Sequence, residues 1–168
     1  EMLPKRRGQI LTFRLYDAVN KRFMLGKRYK ASPKLLRKVV HRFADEVVMQ
    51  LTGKRGIAET QITLLTQEKS IKELWLVDFD GYNLRQLTND NSVNLSPSWS
   101  PDGKWIVFVH NSGTNNNIGL MRRDGSDLRH LTQFTDGTQL YSPRFSPDGK
   151  KVAFSIARGG QRDLAILR

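Results

Sequence analysis

Few residues in this sequence combine the type and the spacing that chemistry requires. His41 and Asp45 lie four residues apart, close enough for an imidazole and a carboxylate to form an acid–base pair. The apolar residues around them recur at helical spacing, and a helix presents such a pair on its exposed face far more often than in a site. We therefore interpret His41 and Asp45 as a surface pair.

Two aspartates could hold a metal ion or act as acids, but their setting favours a structural role. Asp102 and Asp148 each stand within a Ser-Pro-Asp-Gly segment, and the two segments are 46 residues apart. A structural device recurs in every copy of a repeat, whereas a catalytic site occurs once. The sequence therefore predicts that both aspartates belong to turns.

The histidines and the other motifs offer no site either. His41, His110 and His130 fall in three different predicted elements, and His130 stands where the other repeat copy has Gln86, which is typical of an exposed strand position. The chain has no Cys, which excludes a thiol nucleophile, a Cys-based zinc site and a disulfide scaffold. No phosphate-loop or Gly-x-Ser-x-Gly spacing occurs. We predict no enzymatic activity, no cofactor and no metal.

The charge divides the chain into two parts. Its net charge is +12 over 168 residues, yet residues 1–72 hold 17 Lys and Arg against 6 Asp and Glu, while residues 73–168 hold 11 against 10. A basic first part could bind nucleic acid or an anionic membrane surface. The aromatic residues that a single-strand binder interleaves are sparse, so the charge alone favours a solvated basic surface.

No segment resembles a membrane span or a leader. The longest apolar runs are about five residues, against the roughly 20 that cross a bilayer, so we predict no membrane insertion. Residues 1–9 are polar and basic with no apolar stretch. A signal sequence was therefore removed or never present.

The first part predicts a hairpin and then a helix. Residues 11–17 alternate apolar and polar side chains, and residues 23–29 form a plausible partner strand with a bulge at Gly26. The residues from 35 to 51 contain paired apolar positions at helical spacing, which predicts a helix. Its ends are indicated by Ser32 as N-cap, Pro33 at the first helical position and Gly53 after the last. A strand over 62–65 would close a β-β-α-β unit.

The second part is a repeat. Residues 74–81 match 118–125 at an offset of 44, residues 96–104 match 142–150 at an offset of 46, and residues 163–168 begin a third copy. Each copy predicts four short strands, which in the first copy cover 73–78, 83–87, 96–100 and 105–110. A four-stranded unit of about 45 residues is typical of a β-propeller blade.

The repeated motifs predict turns and a core. Pro101 and Pro147 preset a type I turn, and Gly103 and Gly149 supply the positive φ that follows. Trp99 and Phe145 occupy equivalent strand positions, and we predict that they form core between neighbouring blades.

These observations predict an α+β fold in two domains. Residues 1–66 would form a partial β-β-α-β domain, and residues 67–168 an incomplete β-propeller of two four-stranded antiparallel blades, 73–116 and 117–162, with the start of a third at 163–168. Propellers usually need four or more blades, so we expect a fragment of a longer protein. Its uncovered blade edges are surfaces through which it could self-associate.

Several motifs resemble the TolB family, the periplasmic propeller proteins of the Tol-Pal envelope system. The repeats alone are shared with peptidase-associated propellers, whereas the order of the motifs is much more specific. The motifs that carry the resemblance are Leu15-Tyr16-Asp17, Ala44-Asp45-Glu46-Val47, Leu51-Thr52-Gly53-Lys54-Arg55-Gly56, Asp78-Phe79-Asp80-Gly81-Tyr82-Asn83 and the Ser-Pro-x-Trp/Phe-Ser-Pro-Asp-Gly repeats.

The resemblance implies a periplasmic, non-enzymatic protein with an N-terminal α/β domain and a six-bladed propeller. It implies that the full-length protein docks the peptidoglycan-associated lipoprotein Pal and links to the inner-membrane protein TolA through its mature N-terminus. Because this chain begins inside the α/β domain, we expect the TolA-binding segment to be missing. The loops that face Pal in the family correspond to candidate partner contacts at Asn94, Leu95, Ser96, Gln139, Leu140, Tyr141 and Ser142.

Three hypotheses follow. The first is a scaffold of the cell envelope that supports outer-membrane integrity, protein import and cell division. The second is the non-catalytic propeller of a prolyl-oligopeptidase-like hydrolase, which needs a catalytic triad elsewhere and leaves residues 13–66 unexplained. The third is a nucleic-acid-binding module that uses the basic first part, although we expect no specific nucleic-acid partner.

Overall fold

Strands dominate the computed structural model, which describes residues 8–113 and 115–168. The predicted mixture of many strands with one helix is confirmed within those residues, and residues 1–7 of the predicted first domain lie outside them. The elements are β1 (Gln9–Asp17), β2 (Arg22–Ala31), α1 (Leu36–Thr52), β3 (Gln61–Glu68), β4 (Ile71–Asp78), β5 (Arg85–Gln86), β6 (Val93–Trp99), β7 (Trp105–Asn111), β8 (Asn116–Arg122), β9 (Arg129–His130), β10 (Gln139–Phe145), β11 (Val152–Arg158) and β12 (Gln161–Leu167).

The described chain forms two compact units. The first contains the residues up to Gln61 together with Asp78–Asp80, and the second contains Ile62–Val77 and Gly81–Arg168. The predicted domain boundary between residues 66 and 67 lies close to this division and stays a prediction.

In the first unit, β1 and β2 pair antiparallel as a two-stranded sheet. The bulge is not at Gly26, as predicted, but between Leu15 and Tyr16, where Met24 is the extra residue of β2. Gly26 has another role, because a Cβ there would lie 2.8 Å from Cζ of Phe23. The glycine therefore makes room for an aromatic ring that lies across it.

Helix α1 is bounded by the residues that the sequence indicated, although the capping differs. Pro33 begins a 3-10 turn over Pro33–Leu35 that leads into α1, and the side chain of Ser32 makes no capping hydrogen bond. Gly53 ends the helix in the left-handed region at φ 69, and its N–H donates to the carbonyl of Met49 at 2.9 Å.

The interpretation of His41 and Asp45 as an exposed surface pair is wrong. Asp45 is buried, and its carboxylate accepts hydrogen bonds from the backbone N–H groups of Ala58 at 2.7 Å and Glu59 at 3.0 Å. His41 instead contacts Asp80, with 3.0 Å between Nε2 and Oδ2. The helical pattern identifies which residues share a face, but not which later segment packs on that face.

Strand β3 also differs from its prediction. It was expected to close a β-β-α-β unit, but it lies next to β4 in the larger sheet, while β1 and β2 form a sheet of their own. Alternating side chains fix a strand's faces but not its neighbour. Only the short connection between β3 and β4 favours this pairing.

The second unit contains two antiparallel arrays, and their pairing corrects the predicted phase of the blades. Strands β6, β7, β8 and β9 pair in that order, and β10, β11 and β12 form a three-stranded sheet. The predicted boundary between 116 and 117 thus cuts through the β7–β8 pair. Asn, Ser and Gly mark a hairpin turn and a connection between blades equally well, so a repeat period fixes the spacing but not the starting strand.

The repeated turns are confirmed. In the first copy the N–H of Gly103 donates to the carbonyl of Ser100 at 2.9 Å, and in the second Gly149 donates to Ser146 at the same distance. Both glycines have positive φ, 66° and 71°. Asp102 accepts a hydrogen bond from the hydroxyl of Ser100 at 2.6 Å, which makes it a turn residue.

Trp99 and Phe145 each pack against an apolar cluster, and their predicted place between neighbouring blades stays a prediction. Trp99 lies on the cluster of Leu74, Ile106, Phe108 and Met121. Phe145 packs against a second cluster, which draws on β7, β8, β10 and β11 and so joins the two arrays, with members Val107, Val109, Ile118, Leu120, Leu140, Val152 and Phe154.

Candidate partner-binding surface

The seven predicted contact residues lie on β6 and β10, the first strands of the two arrays. Both strands have a register shift at the same point of the repeat, between Leu95 and Ser98 and between Tyr141 and Arg144. Ser96 and Ser142 take φ values of 51° and 50° there, in the left-handed region that favours glycine. Such strain persists where surrounding structure imposes it, so the shared geometry is a built-in bend of both strands.

Burial separates these residues into two groups. Asn94 and Leu140 have exposed fractions of 0% and 1%, which leaves no side-chain atoms for a partner to touch. Gln139, Tyr141 and Ser142 are exposed, and Leu95 and Ser96 are half-buried. The guanidinium of Arg162 lies 5.5 Å from the ring of Tyr141 and adds a cation to this surface.

Behind β6 a buried polar network orients the strand and its loop. The hydroxyl of Thr88 donates to the carboxylate of Glu73 and accepts from the N–H of Leu74 at 2.9 Å. The amide nitrogen of Asn94 lies 3.3 Å from Glu73 Oε2, 3.3 Å from Thr88 Oγ1 and 3.2 Å from Asp90 Oδ1. Asn94 therefore holds the 88–92 loop against β6 from inside.

The structure also brings together two histidines that sequence reasoning had kept apart. His110 Nε2 lies 3.0 Å from Asp90 Oδ2, and His110 Nδ1 lies 3.2 Å from His130 Nε2. A carboxylate only accepts, so the neutral arrangement puts a proton on His110 Nε2 and has His130 donate to His110 Nδ1. Twenty residues separate the histidines, and only the pairing of β7, β8 and β9 makes them neighbours.

The electrostatics of this cluster favour a neutral His130 and an ionised Asp90. Burial lowers the pKa of His130, the electrostatic interaction with His110 lowers it further, and Asp90 opposes both. Burial raises the pKa of Asp90, but hydrogen bonds from Asn94 and Ser92 together with His110 outweigh it, so that pKa lies below its ordinary value. Within residues 8–113 and 115–168, no group of three His, Asp or Glu could hold a metal ion.

The second array has a cluster of polar side chains at the position that corresponds to the Asp90 cluster of the first array. Asp136 Oδ1 accepts from the N–H of Thr138 at 3.1 Å, as Asp90 Oδ1 does from Ser92. The guanidinium of Arg158 lies 4.7 Å from the ring of Phe134, and its Nε donates to Thr138 Oγ1 at 2.9 Å. Asp136, Thr138 and Arg158 line a cleft of about 280 Å³, together with the glycines at positions 159 and 160.

The repeated strands, turns and apolar clusters described above belong to a stretch of the chain that matches a known family. Residues 48–168 match the TolB beta propeller domain. The chain belongs to the TolB family. Within residues 8–113 and 115–168, α1 is too short and too polar to span a bilayer, and no other helix could do so.

Relatives and a solved structure agree with the TolB assignment. The Tol-Pal system protein TolB of Desulfosudis oleivorans is 39% identical over 125 residues, which cover 73% of this chain and 26% of that protein. The Tol-Pal system protein TolB of Geobacter sulfurreducens is 38% identical over 94 residues, covering 56% of this chain and 22% of that protein. The chain thus spans about a quarter of the length of these relatives.

The crystal structure of TolB from Acinetobacter baumannii superposes with a TM-score of 0.83 at 25% identity. The match covers 97% of this chain and 41% of that one. The TolB resemblance inferred from the motifs is thereby confirmed.

Proposed function

We propose that this chain is part of a non-enzymatic periplasmic scaffold of the Tol-Pal envelope system, which works by binding other proteins. The observation that carries the proposal is the match of residues 48–168 to the TolB beta propeller domain, together with relatives named as Tol-Pal system proteins. Support of outer-membrane integrity, protein import and cell division would follow from such a scaffold.

The proposed docking surface is formed by the two bent strands β6 and β10. Its exposed members are Gln139, Tyr141 and Ser142, with Leu95 and Ser96 half-buried beside them. A tyrosine flanked by an arginine is typical of the residues that dominate binding energy at protein interfaces. The buried network behind β6 and the apolar cluster behind β10 keep the strands rigid, so little order is lost on binding.

The proposed partner of this surface is the Pal lipoprotein, and a TolA-type inner-membrane protein would engage the full-length protein elsewhere. Because the chain spans about a quarter of its relatives, it supplies only part of the expected surface. Self-association through uncovered strand edges remains a prediction, and sedimentation measures it directly.

Calorimetric titration of the purified chain with the soluble domain of Pal tests this function. We expect binding, and we expect Tyr141→Ala to weaken it by about tenfold or more, as for a typical interface anchor. The matched control is Tyr82→Ala, which removes a tyrosine that is 65% exposed elsewhere in the second unit. Absence of binding, or equal losses in the two variants, would contradict the proposal.

A further inference from the structure

Positive charge is concentrated on the β1–β2 hairpin. Residues 9–31 hold six basic side chains and one acidic side chain, Asp17. Asp17 is committed to the turn: Oδ1 accepts from the N–H groups of Val19 and Asn20, both at 3.0 Å, and Oδ2 accepts from the Asn20 amide at 2.7 Å. The basic residues are Arg14, Lys21, Arg22, Lys27, Arg28 and Lys30.

These cations have few charged partners in the part of the chain that the structure describes. Lys27 contacts Glu46 of α1 at 3.6 Å, and it is the one member of the set with a carboxylate within 4 Å among residues 8–113 and 115–168. The other five are exposed on the strands and the turn. The positive potential of these five side chains therefore extends into solvent, where it attracts anions.

Apolar side chains are exposed at the tip of the same hairpin. Val19 is 89% exposed, and Tyr16 and Phe23 are each 56% exposed. Tyr16 and Phe23 are directly paired across the strands, with ring centroids 5.6 Å apart in an edge-to-face arrangement. The opposite face is the one that packs inward, since Phe13 stacks on Phe43 of α1 at 4.7 Å.

We propose that the tip of this hairpin docks on the surface of a bilayer that contains anionic phospholipid. An apolar tip flanked by Lys21 and Arg22 fits the boundary between lipid headgroups and acyl chains, where aromatic and aliphatic side chains enter while basic side chains contact phosphate. The contact is superficial, and no segment crosses the membrane. It is independent of the surface on β6 and β10 and would hold the scaffold beside an envelope membrane.

The geometry favours a bilayer over single-stranded nucleic acid. Base stacking needs free ring faces spaced along a groove. Here the two rings pack on each other and Phe23 also covers Gly26, so they form one compact apolar patch. Val19, the most exposed side chain of the tip, has no ring to offer a base.

Co-sedimentation with lipid vesicles tests the docking. We expect the chain to bind vesicles of phosphatidylcholine with 30% phosphatidylglycerol about tenfold more tightly than pure phosphatidylcholine, and to lose most of that gain in 0.5 M salt. Lys21→Gln with Arg22→Gln should weaken binding severalfold. Lys150→Gln with Lys151→Gln removes the same charge from an exposed turn of the second unit and should leave binding unchanged.

A fluorescent label provides a second measurement that does not depend on removing side chains. Because the chain has no Cys, Val19→Cys carries a single environment-sensitive dye at the tip, and Leu164→Cys, at a position 83% exposed in β12, is the matched control. We expect a blue shift on anionic vesicles at position 19 and none at 164.

Three outcomes would overturn the docking. They are equal binding to neutral and anionic vesicles, equal losses in the two charge variants, and equal spectral shifts at the two labelled positions. Tighter binding to a single-stranded oligonucleotide, with the same dependence on Lys21 and Arg22, would assign the patch to nucleic acid instead.

Discussion

The two copies of the repeat build the same backbone around different interiors. In each copy a threonine hydroxyl accepts a hydrogen bond from a backbone N–H of the preceding long strand. Leu74 N–H donates to Thr88 in the first copy and Ile118 N–H donates to Thr132 in the second, both at 2.9 Å. In the first copy that hydroxyl donates to the carboxylate of Glu73, and in the second it donates to the amide oxygen of Asn117 at 3.0 Å.

The difference continues at the start of β6 and β10. Asn94 joins the polar network of the first copy, whereas Leu140 at the equivalent position is a member of the apolar cluster. The backbone hydrogen bonds and turns are therefore what the repeat conserves between its copies. The side chains between them need only be mutually satisfied, either as a complete polar network or as close-packed hydrocarbon.

Leu140→Asn should have the largest effect, because it places the first copy's residue among the second copy's neighbours. It removes buried hydrocarbon and leaves an amide without partners, and we expect a loss of about 4 kcal/mol in the free energy of unfolding. Urea titration followed by tryptophan fluorescence measures it, since Trp75, Trp99 and Trp105 all lie in the second unit. Leu140→Ala is the control, and a larger loss there than in Leu140→Asn would refute the argument.

Replacing each threonine by valine compares the two hydroxyls directly. Thr88→Val removes a donor to a buried carboxylate, for which we expect a loss of about 2 kcal/mol. Thr132→Val removes a donor to a neutral amide, for which we expect about 1 kcal/mol. The same urea titration checks the order, and an equal or reversed order would mean that the charge of Glu73 does not set the difference.

The Ser-Pro-Asp-Gly turns should respond alike, since both copies use them in the same way. Ser100 Oγ accepts from Trp105 N–H at 2.9 Å, and Ser146 Oγ accepts from Lys151 N–H at 3.0 Å. We expect Ser100→Ala and Ser146→Ala each to cost about 1 kcal/mol, and the double variant to cost the sum. Thermal unfolding measures these losses of stability. A difference of more than about 1 kcal/mol between the two single variants would show that the turns are not equivalent.

His130→Gln introduces the residue that the first copy has at the equivalent position, Gln86. It should change the pH dependence of the free energy of unfolding more than its value at neutral pH. The pKa of His130 is lower in the folded chain, so the unfolded chain takes up more protons as pH falls through the ordinary histidine range. The folded state therefore loses stability from His130 below neutral pH and regains it above. Urea titrations at pH 7.5 and pH 5.5 should show a smaller drop in the variant, and an unchanged drop would contradict the lowered pKa.

Local patterns predicted the elements that short-range chemistry determines. The turn of the hairpin, helix α1 with its flanking Pro33 and Gly53, and the Ser-Pro-Asp-Gly turns depend on residues within a few positions of one another. The misplaced features depend on distant segments: Asp45 is buried because the backbone at Ala58 and Glu59 packs on it, and His110 meets His130 through β8. The same motif even serves two purposes, since Asp124 accepts from Ser126 in its turn while Asp80 contacts His41.

By itself the sequence determined the repeat, its turn chemistry and the family, because these depend on short motifs of neighbouring residues that recur at offsets of 44 and 46. The tertiary structure decided which strand pairs with which, which of the candidate contact residues reach solvent, and which charged groups meet. Pairing and burial depend on contacts between segments far apart in the chain, and a repeated pattern is compatible with more than one such arrangement until the backbone hydrogen bonds select it.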